Sequence, residues 1–146
     1  FPMTSHADTT KQWPLKNETE LRCEVPEHAT LVLKLVAGSG SAEIFGIEMA
    51  PNKEYTFRDQ SVAVFTWYGC VIESTGDPTI PYVADSTPMV AYVNTHIQLE
   101  ARRDVALFNK ERGPRVMVVG PPDHGKSMVT QVLAAYAVRL DRNPVL

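Results

Sequence analysis

The residues Val116, Met117, Val118 and Val119 form an apolar run that opens into Gly120-Pro121-Pro122-Asp123-His124-Gly125-Lys126-Ser127. No other stretch limits so tightly what this chain folds into. The eight residues from Gly120 fit G-x-x-x-x-G-K-[ST], the spacing of a phosphate-binding loop. Such a loop sits between a strand and a helix, because the helix N-terminus offers free N–H groups and a dipole that favours an anion. Both flanks have the required pattern. The apolar run reads as a strand over 116–119. Val129, Val132, Leu133, Tyr136 and Leu140 fall on one stripe of a helix expected over 126–140. The bland alternative is a Gly/Pro turn joining two core elements.

The residue types set the chemistry of the loop. Gly120 and Gly125 lack a Cβ, so the backbone turns tightly and approaches an anion. Lys126 is expected to reach the β- and γ-phosphates as a point charge, and Ser127 to place its hydroxyl on Mg²⁺. Pro121 and Pro122 have no N–H, so the later residues of the loop must supply most of the donors. His124 is a solvent-facing variant or, when charged, a further phosphate contact.

A strand and helix of this kind call for a parallel sheet covered on both faces. The residues before them do not read as such a sheet. Residues 114–146 therefore read as the first βα unit of an α/β P-loop NTPase domain, truncated here. The remaining composition is that of a soluble protein: 146 residues, net charge −3 and 44% hydrophobic residues, enough for a core. No apolar run approaches the length of a membrane span, and residues 1–10 lack a secretory pattern. Cys23 and Cys70 stand in strand-like contexts and are expected as buried free thiols. His6, His28, His96 and His124 have no ligand spacing with them. Mild acidity argues against a broad nucleic-acid-binding face.

Ahead of the loop the chain is mainly β. Leu21, Cys23 and Val25 alternate with Arg22 and Glu24, and Leu31, Leu33 and Leu35 alternate with Val32 and Lys34. Turns are expected at Gly38-Ser39-Gly40, Pro51-Asn52-Lys53 and Gly76-Asp77-Pro78, with short strands at 42–45, 70–73 and 80–83 and around Tyr55 and Phe57. The run 62–68 is the candidate central strand. The expectation is a flexible tail over 1–14 and a small β-sandwich over 15–86. A helical linker over 87–113 begins at Thr87-Pro88, and Met89, Val93, Ile97, Glu100 and Leu107 keep roughly helical spacing along it. Arg102 and Arg103 are read as a solvated face of it.

Five blocks carry a resemblance: NETELRCEV (17–25), AEIFGIEM (42–49), EYTFRDQSVAVFTWYGC (54–70), TPMVAYVNTHIQLEARR (87–103) and ERGPRVMVVGPPDHGKS (111–127). Together they resemble the Clp-type polynucleotide 5′-hydroxyl kinases, nuclear proteins of pre-mRNA 3′-end cleavage and, in animals, of tRNA splicing. The resemblance implies an N-terminal β-sandwich, a central P-loop domain and a C-terminal domain, of which this chain holds the first and the opening of the second. It implies ATP and Mg²⁺ as cofactors, and RNA 5′ ends and cleavage/polyadenylation factor subunits as partners, with no membrane involved.

The resemblance also assigns site residues. Glu20, in the TELR block, is implied as an adenine contact. A second contact, a lysine in the family, falls at Ser61, which offers a shorter, neutral hydrogen bond. Asp123, His124, Gly125, Lys126, Ser127 and Met128 carry over as the phosphate side. Family members usually have a smaller or aliphatic residue at His124, and often Thr at Pro122. The reaction implied is transfer of the ATP γ-phosphoryl group to a 5′-hydroxyl, with Lys126 neutralising charge on the group in flight. The acidic motif and lid arginines that such transfer needs do not occur in these 146 residues, which alone are expected to be inactive. A catalytically silent, ATP-holding scaffold of the cleavage factor is the alternative.

Overall fold

The computed structural model describes residues 10–76 and 81–145. Nine strands and two helices occur among them: β1 (Thr10–Leu15), β2 (Thr19–Val25), β3 (Leu31–Leu35), β4 (Glu43–Ile44), β5 (Ile47–Glu48), β6 (Glu54–Phe57), β7 (Gln60–Thr66), β8 (Cys70–Gly76), β9 (Tyr82–Ala84), α1 (Met89–Asn109) and α2 (Lys126–Arg139). The chain divides into two compact units. The first holds residues up to Ile44 and Glu48–Thr87; the second holds Phe45–Ile47 and everything from Pro88 on.

In the first unit the strands form two sheets, ordered β1-β8-β3-β6 and β5-β4-β7-β2-β9. Period-two alternation decides which side chains enter the core. Leu21, Cys23 and Val25 of β2, Leu31, Leu33 and Leu35 of β3, Val62 and Val64 of β7 and Ile72 of β8 are all buried. The expected central run is central: β7 lies between β4 and β2. Its Phe65 is buried and meets Trp67 edge-on, with ring centroids 4.7 Å apart. Cys23 and Cys70 are free and buried, and burial pushes the Cys23 thiol up to about 11. The turn after β3 packs against the one between β7 and β8 through Gly40 (φ 134°), where a Cβ would fall 2.0 Å from the Gly69 carbonyl oxygen.

The flexible tail expected over 1–14 needs correction at its end. Residues 10–14 belong to β1, which pairs with β8 from Thr10↔Thr75 to Leu15↔Cys70. Trp13 Nε1 donates to Ser74 Oγ at 2.9 Å, and the Lys11 ammonium lies 3.8 Å from the Trp13 ring centroid. β1 is an edge strand, so Pro14 is tolerated and the polar outer face hides the strand pattern. Residues 1–9, and the turn residues 77–80 with the start of the strand expected at 80–83, lie outside the described residues.

In the second unit α1 and α2 pack together. The α2 stripe is as expected for Val132, Leu133 and Tyr136, which are buried, whereas Leu140 is exposed. The spacing along α1 does not mark its buried face. Its buried residues are Met89, His96, Leu99 and Ala106, while Ile97 and Leu107 are 54% and 65% exposed. Apolar residues occur around α1, so spacing alone left its buried side ambiguous. Arg103 pairs with Glu100 instead of standing in solvent, and Glu100 also accepts from Arg142 Nε at 2.8 Å. Residues 116–119 form no strand, because no described strand runs beside them to complete a ladder. Met117 and Val119 are 84% and 77% exposed.

His96 lies beside Tyr136, ring centroids 5.6 Å apart, with its Nδ1 buried and lacking a hydrogen-bond partner. Burial lowers its pKa from the ordinary 6.5; Glu100 opposes this and Arg103 adds to it. The unfolded chain therefore takes up the proton first. Stability from this packing is full above pH 6.5 and declines as pH falls through that value toward the lower folded one. Thermal unfolding between pH 7.5 and 5 is expected to show this loss in the wild type. The slope should flatten in His96→Phe; an unchanged slope would mean that other groups cause it.

Candidate functional site

The loop 120–125 is curled by two left-handed residues, Asp123 (φ 57°) and Gly125 (φ 73°). Gly125 is the N-cap of α2, and aspartate is among the few residues that tolerate this conformation. The Val129 N–H donates to the Gly125 carbonyl at 3.0 Å, the first bond of the helix. The N–H groups of Lys126, Ser127 and Met128 precede it and have no intrahelical acceptor, and no side chain caps them. They are donors open to an anion. Lys126 Nζ folds back over the loop and donates to the Pro121 carbonyl. His124 Nδ1 lies 2.6 Å from the Pro122 carbonyl oxygen. Ser127 is exposed on the first turn and Met128 half-buried. Gly120 has no positive φ, and a Cβ there would meet only the Lys126 stem, at 3.9 Å. Backbone strain therefore does not require a glycine here.

This donor set fits a polyphosphate: open amides, a lysine over them and a helix N-terminus. For Mg²⁺ the loop offers the Ser127 hydroxyl. Among the described residues no group of three His, Cys, Asp or Glu is placed to hold a metal. A hard cation here would draw its other oxygens from phosphate and water. Elsewhere in the second unit, a groove of about 750 Å³ is lined by Leu99, Ala106, Val116, Leu133 and Arg142 among others, and by none of residues 120–128. Its walls mix apolar side chains with Arg103, Arg115, Glu111 and Asp141, and it is separate in its lining from the loop.

In the first unit Glu20 is buried on β2, 5% exposed. Both its oxygens are engaged: Oε1 accepts from Arg22, and Oε2 accepts from Thr87 Oγ1 at 3.0 Å. Arg22 also donates to Tyr82 Oη at 3.5 Å and to the Ser86 carbonyl at 3.4 Å. The hydrogen bond to Tyr82 leads in raising the Arg22 pKa, against burial and together with Glu20. This charged clamp ties β2 to β9 and to the segment after it. Sequence reasoning missed Arg22, Tyr82 and Thr87. Opposite charges two residues apart on one strand were the available signal.

Ser61 is exposed on β7, opposite Glu24, whereas Glu20 stands opposite Phe65. Four residues along a strand amount to roughly 13 Å. Both side chains stand on the same face of the sheet, so each would have to reach inward to meet one base. A long lysine at position 61 would span more of that distance than serine does.

Glu20→Gln is expected to cost about 1 kcal/mol, since the buried carboxylate's charge-assisted bond is lost while the half-exposed Arg22 regains part of it from water. Thr87→Val should cost about 0.5–1.5 kcal/mol for one hydrogen bond. Urea unfolding measures both. Wild-type stability in Glu20→Gln would show that the clamp holds nothing.

Comparison with known proteins places these features in context. Residues 14–106 match the family model described as the N-terminal beta-sandwich domain of polyadenylation factor. Polyribonucleotide 5′-hydroxyl-kinase Clp1 of Bos taurus is 51% identical over 136 residues, covering 92% of this chain and 32% of that protein. The Homo sapiens protein of the same name is 50% identical over the same coverage. At 92%, the match necessarily includes residues 120–128. The chain spans about a third of the length of these relatives. A solved wild-type Clp1p–Pcf11p complex superposes with a TM-score of 0.78 at 24% identity, over 92% of this chain and 31% of that one. That likeness supports the fold.

Proposed function

This chain belongs to the polyadenylation-factor family defined by that N-terminal β-sandwich, and we propose that it supplies the ATP-binding part of an RNA 5′-hydroxyl kinase. The observation that carries the reading is the loop geometry: Lys126 drawn over open amide donors at a helix N-terminus. Identity of about half to proteins named as polyribonucleotide 5′-hydroxyl-kinases, across this same loop, supports it.

In this reading the amides of Lys126, Ser127 and Met128, with those of Asp123, His124 and Gly125, bind the phosphates of ATP. Lys126 exchanges its bond to the Pro121 carbonyl for the β- and γ-phosphates and offsets charge on the group being transferred. Ser127 holds Mg²⁺, which neutralises phosphate charge when bound. Glu20 retains acceptor capacity beyond Arg22 and Thr87, because a carboxylate has about four lone-pair sites. An adenine amino group is the donor suited to it. Ser61, on the same face of the sheet, offers a shorter and neutral hydrogen bond to the base.

The wider setting proposed is the one the family resemblance implies: a nuclear protein acting on RNA 5′ ends in pre-mRNA 3′-end processing and, in animals, tRNA splicing. Its partners are cleavage-factor subunits, of which Pcf11p accompanies the solved neighbour. Kinase and silent ATP holder differ in one readout, the movement of labelled γ-phosphate to a 5′-hydroxyl oligoribonucleotide.

Calorimetric titration of ATP with Mg²⁺ tests the shared premise. Lys126→Ala should weaken binding about tenfold or more, since charge-assisted contacts to phosphate are lost. Equal affinity in wild type and variant would remove the loop from consideration as a phosphate site.

A further inference from the structure

The two prolines of the loop offer no N–H, yet each retains a carbonyl oxygen. A carbonyl facing the concavity of a phosphate loop opposes the anion as surely as an amide attracts it. Here both proline carbonyls are engaged by side chains of the loop itself. Lys126 Nζ donates to Pro121, and His124 Nδ1 lies 2.6 Å from the Pro122 oxygen. A carbonyl oxygen only accepts, so Nδ1 is the nitrogen that carries the proton. Asp123, between the paired residues, takes the left-handed conformation that brings them together.

The geometry points to His124 as a positioning residue for the phosphate site. Its Nδ1–H holds the Pro122 carbonyl turned aside and closes residues 122–124 into a small ring. This deepens the nucleotide-binding reading and rests on it. Lys126 must release its proline carbonyl to reach a phosphate, whereas His124 need not. The His124 bond therefore keeps the loop curled with ATP bound as well as without it. The role differs from contact through imidazolium charge, because the neutral Nδ1–H tautomer makes this bond without any charge.

Two measurements test it. Nitrogen-15 shifts of the imidazole at pH 8 should show His124 as the Nδ1–H tautomer. The Nε2–H tautomer would overturn the assignment independently of any nucleotide. The second is ATP titration of wild type, Lys126→Ala, His124→Asn and His124→Leu. Asparagine places an N–H donor at about the distance of Nδ1 and carries no charge. His124→Asn should bind like wild type, and His124→Leu about three- to tenfold more weakly, as expected for one hydrogen bond. Equal loss in both histidine variants would mean that charge is what matters, and no loss in either would mean that the bond is idle; each result overturns the inference. If wild type and Lys126→Ala bind ATP equally, the nucleotide-binding reading itself fails, a result distinct from the other two.

Discussion

The antiparallel pairing of β2 with β7 is the constraint on which the first unit depends. Its register runs from Thr19↔Thr66 to Val25↔Gln60 and sorts every side chain of two central strands onto one face or the other. Leu21, Cys23, Val25, Val62 and Val64 enter the core together. Glu20, Arg22, Phe65 and Ser61 share the opposite face. A slip of one residue would bury the charges and expose the core, so the hydrophobic pattern specifies the register strongly. On its other edge β2 pairs with β9, which sets Arg22 opposite Tyr82 and so permits the clamp on Glu20. The fold of the first unit and the clamp both follow from the two ladders of β2.

The clamp also shows how a buried charge is kept. Glu20 is removed from water and compensated by Arg22 and by the Thr87 hydroxyl. Removing either partner leaves part of that compensation missing, which is more costly than the bond itself. A carboxylate held in this way is preorganised. It does not reorient to meet a ligand, and any further donor must come to it.

Much of this was legible in the sequence. Strands β2, β3 and β7 announce themselves by alternation or by a β-branched run, and α2 by the stripe of Val132, Leu133 and Tyr136. The loop was legible because G-x-x-x-x-G-K-[ST] ties residue type to backbone need. Strand β1 was missed because an edge strand with Lys11, Gln12 and Pro14 has no apolar period to read. The buried face of α1 was not legible because helical spacing fits more than one stripe, and only α2 decides between them. Residues 116–119 had the composition of a strand, but a strand exists only through its neighbours. The contact of His124 with Pro122 had no sequence signal, since it depends on the left-handed turn at Asp123.

Both candidate regions use rigid frames to present polar groups: a sheet for Glu20, a helix N-terminus for the loop. The central claim is that residues 123–128 bind polyphosphate through their amides. Backbone amide shifts recorded during addition of Mg²⁺–ATP, and separately of adenosine, test it most directly. The account predicts large shifts at Asp123, His124, Gly125, Lys126, Ser127 and Met128 with ATP, and none at these residues with adenosine. Loop amides that stay still under saturating ATP would contradict it.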